Sequence, residues 1–277
     1  MEQPYILKRA NFFSIESPLL KFSKNIASQS GEDGIIERIF EVIAPLNSFC
    51  VEFGAWDGRH LSNCYNLIQN KNWSGVFIEG NADKFISLVK NHGGNSKLKL
   101  INKFVEFSGQ NSLDSILSDA GAPEAIDFLS IDIDGTDYFI WEGLVSTRPR
   151  VIVIEFNPTI PNDVIFVQSK NPRINQGCSL LALIMLGKSK GYELVCCTEF
   201  NAFFVLLEEF NKFQISSNSI WTMYKPLQDG RIWHGYDSYV YVDGMPSLGW
   251  SRQKTDLTND DFQVLPESLR RFGDAQR

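Results

Sequence analysis

Basic clusters are missing from this 277-residue chain, whose 26 Lys and Arg are outnumbered by 33 Asp and Glu for a formal charge of −7. A nucleic-acid footprint needs a basic stripe or patch, so that class of partner is disfavoured. Cysteine is sparse and unpatterned. The five (Cys50, Cys64, Cys178, Cys196 and Cys197) are odd in number and nowhere spaced C-x-x-C, which predicts ordinary reduced thiols in the cytoplasm. Long hydrophobic runs are lacking too: the longest uncharged apolar stretch, 177–187, is too short to span a bilayer. Residues 1–13 carry no apolar segment or small-residue cleavage site of a secretory signal. The expectation is a soluble cytoplasmic protein without a membrane span. What is plentiful is core material. At 43% hydrophobic and 13% aromatic residues, the chain can bury one large α/β domain with elaborations.

Hydrophobic periodicity divides the chain into an irregular segment at 1–27, a main domain at 28–210, and an aromatic appendage with a loose tail at 211–277. Within the main domain, strands are predicted at 49–53, 75–78, 98–105, 128–134 and 151–157. An edge hairpin follows at 192–197 and 202–207. Helices are predicted between them, at 35–43, 61–69, 82–91 (capped by Asn81), 112–119, 136–144 and 178–190. The strands are near-continuous apolar runs, as expected when helices cover both sheet faces, so the fold class is a doubly wound, mostly parallel α/β sheet. The connection at 158–177 is long, polar and proline-bearing; in a compact domain such a segment is usually functional.

The most informative stretch is Val51-Glu52-Phe53-Gly54-Ala55-Trp56-Asp57-Gly58, an apolar strand ending in an acid and a glycine-bracketed turn. About twenty residues on, Gly75-Val76-Phe77-Ile78-Glu79-Gly80 ends a second strand in an acid. Two acid-tipped strands at this spacing make a nucleoside-binding βαβ half, with Glu79 placed for ribose hydroxyls. A dinucleotide fingerprint would require a third glycine near Leu61, where none stands. S-adenosylmethionine (SAM) has no phosphate and carries a cationic sulfur, so it fits the sparse glycines and the acids Glu52 and Asp57 better.

Further acids end the fourth and fifth strands, as Asp132 with Asp134 and Glu155 with Asn157. Side chains two apart on a strand share a face, so neighbouring strands would bring these groups together. Converging carboxylates either raise one another's pKa, giving a general base, or hold a hard cation such as Mg or Mn. Asp134 could instead cap the following helix. Asp132-Ile133-Asp134-Gly135-Thr136 also matches, letter for letter, the nucleophile motif of haloacid-dehalogenase-type phosphotransferases. Its late position in the chain, and its failure to explain Glu52 and Glu79, weigh against that alternative. A third reading is a non-catalytic nucleotide-fold module that binds a partner through its aromatic C-terminal part.

Taken together, the Glu52 to Gly58 turn, Ile78-Glu79-Gly80, Leu129 to Gly135 and Ile154-Glu155-Phe156-Asn157 resemble class I SAM-dependent methyltransferases, and among them the FkbM-type. The resemblance spans roughly residues 28–207. It implies a Rossmann-like, seven-stranded sheet with the last strand antiparallel, and O-methylation of a sugar, glycan precursor or similar small metabolite. Glu52, Gly54, Ala55, Trp56 and Gly58 would shape the pocket for the methionine end, Glu79 would hold the ribose, and Lys103, Phe104 and Val105 would flank adenine. Asp132 and Asp134 would be catalytic, and a divalent ion would sit on Asp132, Glu155 and Asn157. Asn157, Asn162, Asp163, Asn175 and Gln176 would suit a polyhydroxylated, sugar-linked acceptor. A homo-oligomer is left open. His92 and His234 are read as structural, His60 is either a surface or helix-start residue or a base, and Glu32 with Asp33 either caps a helix or folds over the cofactor. Trp221, Tyr224, Trp233 and Tyr236 are expected to cover the sheet, with stacking on a sugar face as the alternative.

Overall fold

The structure, a computed structural model, describes residues 17–226, 230–234, 239–244, 247–248, 253–254 and 263. The chain divides into two compact units, 1–225 and 226–277. The first is built on seven strands: β1 (Phe49–Phe53), β2 (Ser74–Ile78), β3 (Leu98–Ile101), β4 (Phe128–Ile131), β5 (Val151–Glu155), β6 (Tyr192–Cys197) and β7 (Asn201–Leu206). Their order across the sheet is β3-β2-β1-β4-β5-β7-β6. The β1–β5 pairings are parallel, and β7 runs antiparallel between β5 and β6. The predicted hairpin is therefore present, with its second strand turned inward. Chain order reverses between β1 and β4, the position at which open α/β sheets bind ligands beyond the strand C-termini.

Helices cover both faces, as the continuous apolar runs require. α1 (Glu32–Ile43), α2 (Tyr65–Asn70) and α3 (Ala82–His92) contribute Ile35, Ile39, Leu67 and Leu88 to one core, against Cys50, Phe77, Phe128, Val153 and Phe203. α4 (Leu113–Asp119), α5 (Asp137–Gly143) and α6 (Leu180–Ser189) form the other with Val51, Val76, Leu129, Ile152 and Phe204. Alternation along the strands then sorts the polar ends. Glu52 and Glu79 follow Cys50 and Phe77, Asp132 follows Phe128, and Glu155 follows Val153, so all four fall on the α1 side.

Three element ends differ from the sequence prediction. The helix expected from Leu61 begins only at Tyr65, because Leu61 lies at φ 56° and the next three residues bind Glu52, as described below. The fourth strand stops at Ile131; Asp134, at φ 58°, lies in a loop, so strand alternation does not align it with Asp132. The fifth stops at Glu155, leaving Asn157 outside it.

At the other edge of the sheet, Arg150 enters β5 and donates to Asp127 Oδ1 (2.9 Å), Glu209 Oε1 (2.6 Å), and the carbonyls of Ile43 and Ala44. Asp127 also accepts the backbone N–H groups of Leu46, Asn47 and Ser48. Residues 211–225 pack with the first unit: the Tyr224 ring meets Phe156 edge-on at 4.8 Å, and Trp221 lies in α8 (Ile220–Met223), which follows the short α7 (Leu207–Phe210). In the second unit β8 (Gly230–His234) pairs with β9 (Val240–Gly244), and β10 (Ser247–Leu248) with β11 (Gln253–Lys254). The Trp233 side chain, Tyr236, residues 1–16 and most of the tail beyond Thr255 lie outside the described residues. Among the described residues no helix is long and apolar enough to cross a membrane.

Candidate functional site

The turn after β1 is drawn tightly onto its neighbours. The N–H groups of Gly54 and Ala55 both donate to the Ile78 carbonyl. At Gly54, with φ 83°, an added Cβ would lie 1.8 Å from the Asp132 carbonyl oxygen, so only glycine lets this turn reach the end of β4. Gly58, at φ 72°, likewise leaves no room for a Cβ, which would meet the His92 ring at 2.6 Å. His92 is buried, accepts or donates at Nε2 to the Gly58 carbonyl (2.9 Å), and has its pKa lowered by burial. It supports the turn from beneath. His60 is exposed, its ring edge-on to Trp56 at 5.1 Å.

Glu79 joins the two halves of the cradle. One carboxylate oxygen accepts the Trp56 N–H (2.8 Å), the other the Asn81 N–H (2.7 Å). Trp56 itself sits at φ 49°, a left-handed conformation uncommon outside glycine. A carboxylate has about four acceptor sites, so both oxygens keep capacity for a further donor. Asn81 caps α3 through Asp83 and Lys84 as its sequence position predicts. The Phe104 ring is 74% exposed and lies against Gly80, while Val105 is half-buried on the core. Trp56 is 44% exposed, with the Lys84 ammonium 4.1 Å from its ring centroid.

Glu52 is buried beside Glu79, on the adjacent strand, but it turns toward its own chain. It accepts the Ser62 hydroxyl and the backbone N–H groups of Asn63 (2.7 Å) and Cys64 (3.3 Å). Burial pushes its pKa up to about 7, against the opposing pull of these donors. Its role here is to shape the segment ahead of α2, and so the rear of the cradle.

Three carboxylates gather beyond β4 and β5. Asp132, Asp134 and Glu155 each offer an oxygen, and these oxygens lie within 4.8 Å of one another. Burial, then Asp137, Asp134, Glu52 and Glu32, raise the Asp132 pKa to about 8. Burial, then Asp132, Asp137 and Asp134, raise Glu155 well above the ordinary carboxylate value. Glu155 Oε2 is fully buried without a hydrogen-bond partner. Among the described residues, no ion pair joins a Lys or Arg to this group.

The loop that carries Asp134 is fixed by Asp137, a residue the sequence reading passed over. Its oxygens accept the N–H groups of Ile133 and Gly135, both at 2.9 Å, and burial raises its pKa to about 6. Asp137, rather than Asp134, therefore closes the start of α5. An acid in the first helical turn was the available signal. Asn201 was missed as well. It opens β7 in register with Glu155, donates to Glu32 Oε1 (3.3 Å), and leaves a buried Oδ1 without a partner. Nothing in its Thr198-Glu199-Phe200-Asn201 context marks it beforehand. Glu32 also accepts the Thr198 hydroxyl (2.6 Å), and Asp33 accepts the N–H groups of Ile26, Ala27 and Ser28. Both acids hold structure together.

The long connection is held by side chains of its own. Gln168 Oε1 accepts Gln176 and Gly177 N–H, and its amide donates to the Ile174 carbonyl. Asn157 donates to the Gln176 carbonyl (2.9 Å) and accepts the Thr159 N–H and hydroxyl, so its amide is engaged in this scaffold. Asn162 is buried and donates to the Tyr224 carbonyl (2.9 Å). Asn175 is exposed beside Gly135, next to Asp134. Of the three asparagines expected to meet an acceptor, it alone stands open at the acidic group.

Solved structures similar to this chain include SAM-dependent methyltransferases. The N-terminal domain of EvdMO1, with S-adenosylhomocysteine (SAH) bound, is 11% identical, at TM-score 0.41 over 64% of this chain and 80% of that one. A SAM-dependent methyltransferase from Aquifex aeolicus is 11% identical, at 0.36 over 61% and 86%. The [4+2]-cyclase SpnF is 9% identical, at 0.40 over 73% and 78%. No family model and no curated protein matches the chain. These likenesses are of chain path and assign no activity.

Proposed function

We propose that this protein is a SAM-dependent O-methyltransferase acting on a hydroxyl of a sugar, glycan precursor or similar small metabolite. The observation that carries the reading is the Glu79 carboxylate, which ties the Trp56 turn to the start of α3 while its oxygens keep acceptor capacity at the end of β2, one strand from the switch point between β1 and β4. Gly54, Ala55, Trp56 and Gly58 line the methionine end. Glu79 takes the ribose hydroxyls, and the exposed Phe104 ring with Val105 flanks adenine. A cationic sulfur suits a rim of acids far better than a pyrophosphate would, and the cofactor would supply the methyl group. The acceptor oxygen must lie in line with the methyl carbon and lose its proton. Asp132, with Asp134 beside it, is the group placed to take that proton. Asn175 contacts the acceptor from the long connection.

Calorimetry with SAH tests the reading. Micromolar binding, weakened by Glu79→Ala, is the expected result. No binding, with phosphatase turnover in magnesium that needs Asp132, would move the assignment to the phosphotransferase alternative. Absence of both would leave a non-catalytic binding module.

A further inference from the structure

We propose that Asn91 and His92, at the C-terminal end of α3, are positioning residues for the cofactor turn, and that protonation of His92 releases the turn and weakens cofactor binding. The inference rests on the methyl-donor reading for what the turn holds. Three consecutive residues of that turn are each fixed by a different side chain from the β2–α3 segment. Glu79 accepts the Trp56 N–H (2.8 Å), Asn91 donates to the Asp57 carbonyl (2.9 Å), and His92 Nε2 bonds the Gly58 carbonyl (2.9 Å). Glu79 also accepts the Asn81 N–H at the start of the same helix, so α3 is fastened to the turn at both ends. The turn needs such fastening. Trp56 and Leu61 lie at φ 49° and 56°, a left-handed conformation that is unfavourable for residues other than glycine and persists where neighbours impose it.

The hydrogen bond to Gly58 fixes the tautomer. A carbonyl only accepts, so Nε2 carries the proton and the neutral ring leaves Nδ1 bare. Nδ1 is buried without a hydrogen-bond partner, and His92 is 3% exposed. Phe77 from β2 and Tyr65 from α2 meet the ring edge-on at 5.6 and 6.1 Å, and Leu88 lies one turn earlier on α3. A second proton would put an N–H and a charge where no described group accepts either. The ionisable groups around the ring are Asp57 on the turn, Tyr65 on α2 with the Arg59 guanidinium over its ring, and Lys90 on α3 itself. Burial outweighs the pull of Asp57 and holds the His92 pKa below the ordinary histidine value. The neutral ring therefore belongs to the closed turn, and a cofactor that binds the closed turn is released as acid favours the other state.

The test is SAH calorimetry on the full-length protein from pH 5 to pH 8, with urea denaturation of each variant in parallel. Wild-type affinity should fall several-fold more toward pH 5 than that of His92→Gln, whose amide donates to Gly58 without titrating. At pH 7.5 His92→Gln should stay within about threefold of wild type, while His92→Ala loses about tenfold. Asn91→Ala should weaken SAH about threefold and leave the pH dependence in place. Asn91 is exposed, so that variant keeps the test valid should His92→Ala fail to fold. Ile86→Ala, at a 66% exposed position of the same helix, should leave affinity unaltered. Parallel pH profiles for wild type and His92→Gln, or wild-type affinity in Asn91→Ala, would overturn this inference and leave the methyl-donor reading standing. A wild type that binds no SAH at any pH would sink both.

Discussion

The two edges of the central sheet each collect buried charge, and they treat it in opposite ways. At the edge where the strands begin, Arg150 meets Asp127 and Glu209, and Asp127 accepts three backbone N–H groups besides. Where the strands end, Asp132, Asp134 and Glu155 converge without a described cation, leaving Glu155 Oε2 without a partner. A paired cluster knits α1, β4, β5 and α7 together. An unpaired one sets like charges against one another. The paired group is buried throughout, while in the unpaired one Asp132 and Glu155 are half-buried and Asp134 is exposed; the further difference is whether the folded chain supplies the opposite charge.

Breaking the first cluster should produce the largest change. Arg150→Met removes the cation that bridges Asp127 and Glu209 and leaves only Glu209 with a further partner, Lys212; stripping one partner from such a buried group typically costs about 3–5 kcal/mol. Urea denaturation followed by far-UV circular dichroism should show the midpoint falling accordingly. A loss below about 1 kcal/mol would mean that water reaches Asp127 and Glu209 freely, and the contrast between the edges would fail.

Glu52 sharpens the comparison because it lies near the acidic group but is satisfied by the chain. Its pKa is raised from 4.5 to about 7 by burial. A folded-state pKa above the unfolded value means the native state holds the proton longer. Glu52 thus adds stability below about pH 4.5, and that contribution is lost as pH rises toward 7. The full effect is at most about 3 kcal/mol. Stability profiles between pH 4 and 8 should be flatter for Glu52→Gln than for wild type. Parallel profiles would show that its Ser62, Asn63 and Cys64 donors keep it ionised throughout.

Glu79→Ala comes next in size. It removes the acceptor of two backbone N–H groups as well as the proposed ribose contact. SAH affinity should drop about 10- to 100-fold, or roughly 1.4–2.7 kcal/mol. Glu79→Gln should recover part of that loss, because an amide oxygen still accepts one N–H. Equal losses in the two variants would point to collapse of the turn instead of a lost ligand contact.

The strand alternation was legible in the sequence because each strand is a dense apolar run, and so were the two acid-tipped strands and the capping by Asn81. The site was legible only in part. Asp132 and Glu155 could be found as strand ends. Asp134 was expected on the same strand face as Asp132, but it comes near by a left-handed loop that Asp137 fixes, and no periodicity encodes that. Asn157 and Asn162 looked like ligand contacts since both are polar and near the fifth strand. Their amides instead hold the connection and α8, a choice set by contacts across 19 and 62 residues of sequence. Asn201 depends on how β7 inserts beside β5, so tertiary pairing alone reveals it.

Glu155→Gln gives the smallest expected effect and the one that separates the edges most cleanly, since its sign should be opposite to that of Arg150→Met. The Glu155 pKa is raised well above the ordinary value, first by burial and then by Asp132, so the empty site favours the protonated acid over a wider pH range than an ordinary carboxyl has. Glutamine mimics that form. In chelator, stability at pH 7 should change by less than about 0.5 kcal/mol, within the range of a neutral substitution. At pH 9, closer to ionisation of the wild-type carboxyl among like charges, the variant should gain stability relative to wild type. Adding Mn2+ should reverse the order if Glu155 holds the divalent ion that the resemblance implies, because a ligand stabilises the state that binds it in proportion to the logarithm of its saturation, and only wild type retains the full set of oxygens. Thermal melts at both pH values, with and without Mn2+, measure all four states. A Glu155→Gln variant destabilised by more than about 1 kcal/mol in chelator would place Glu155 among the structural acids, alongside Asp127.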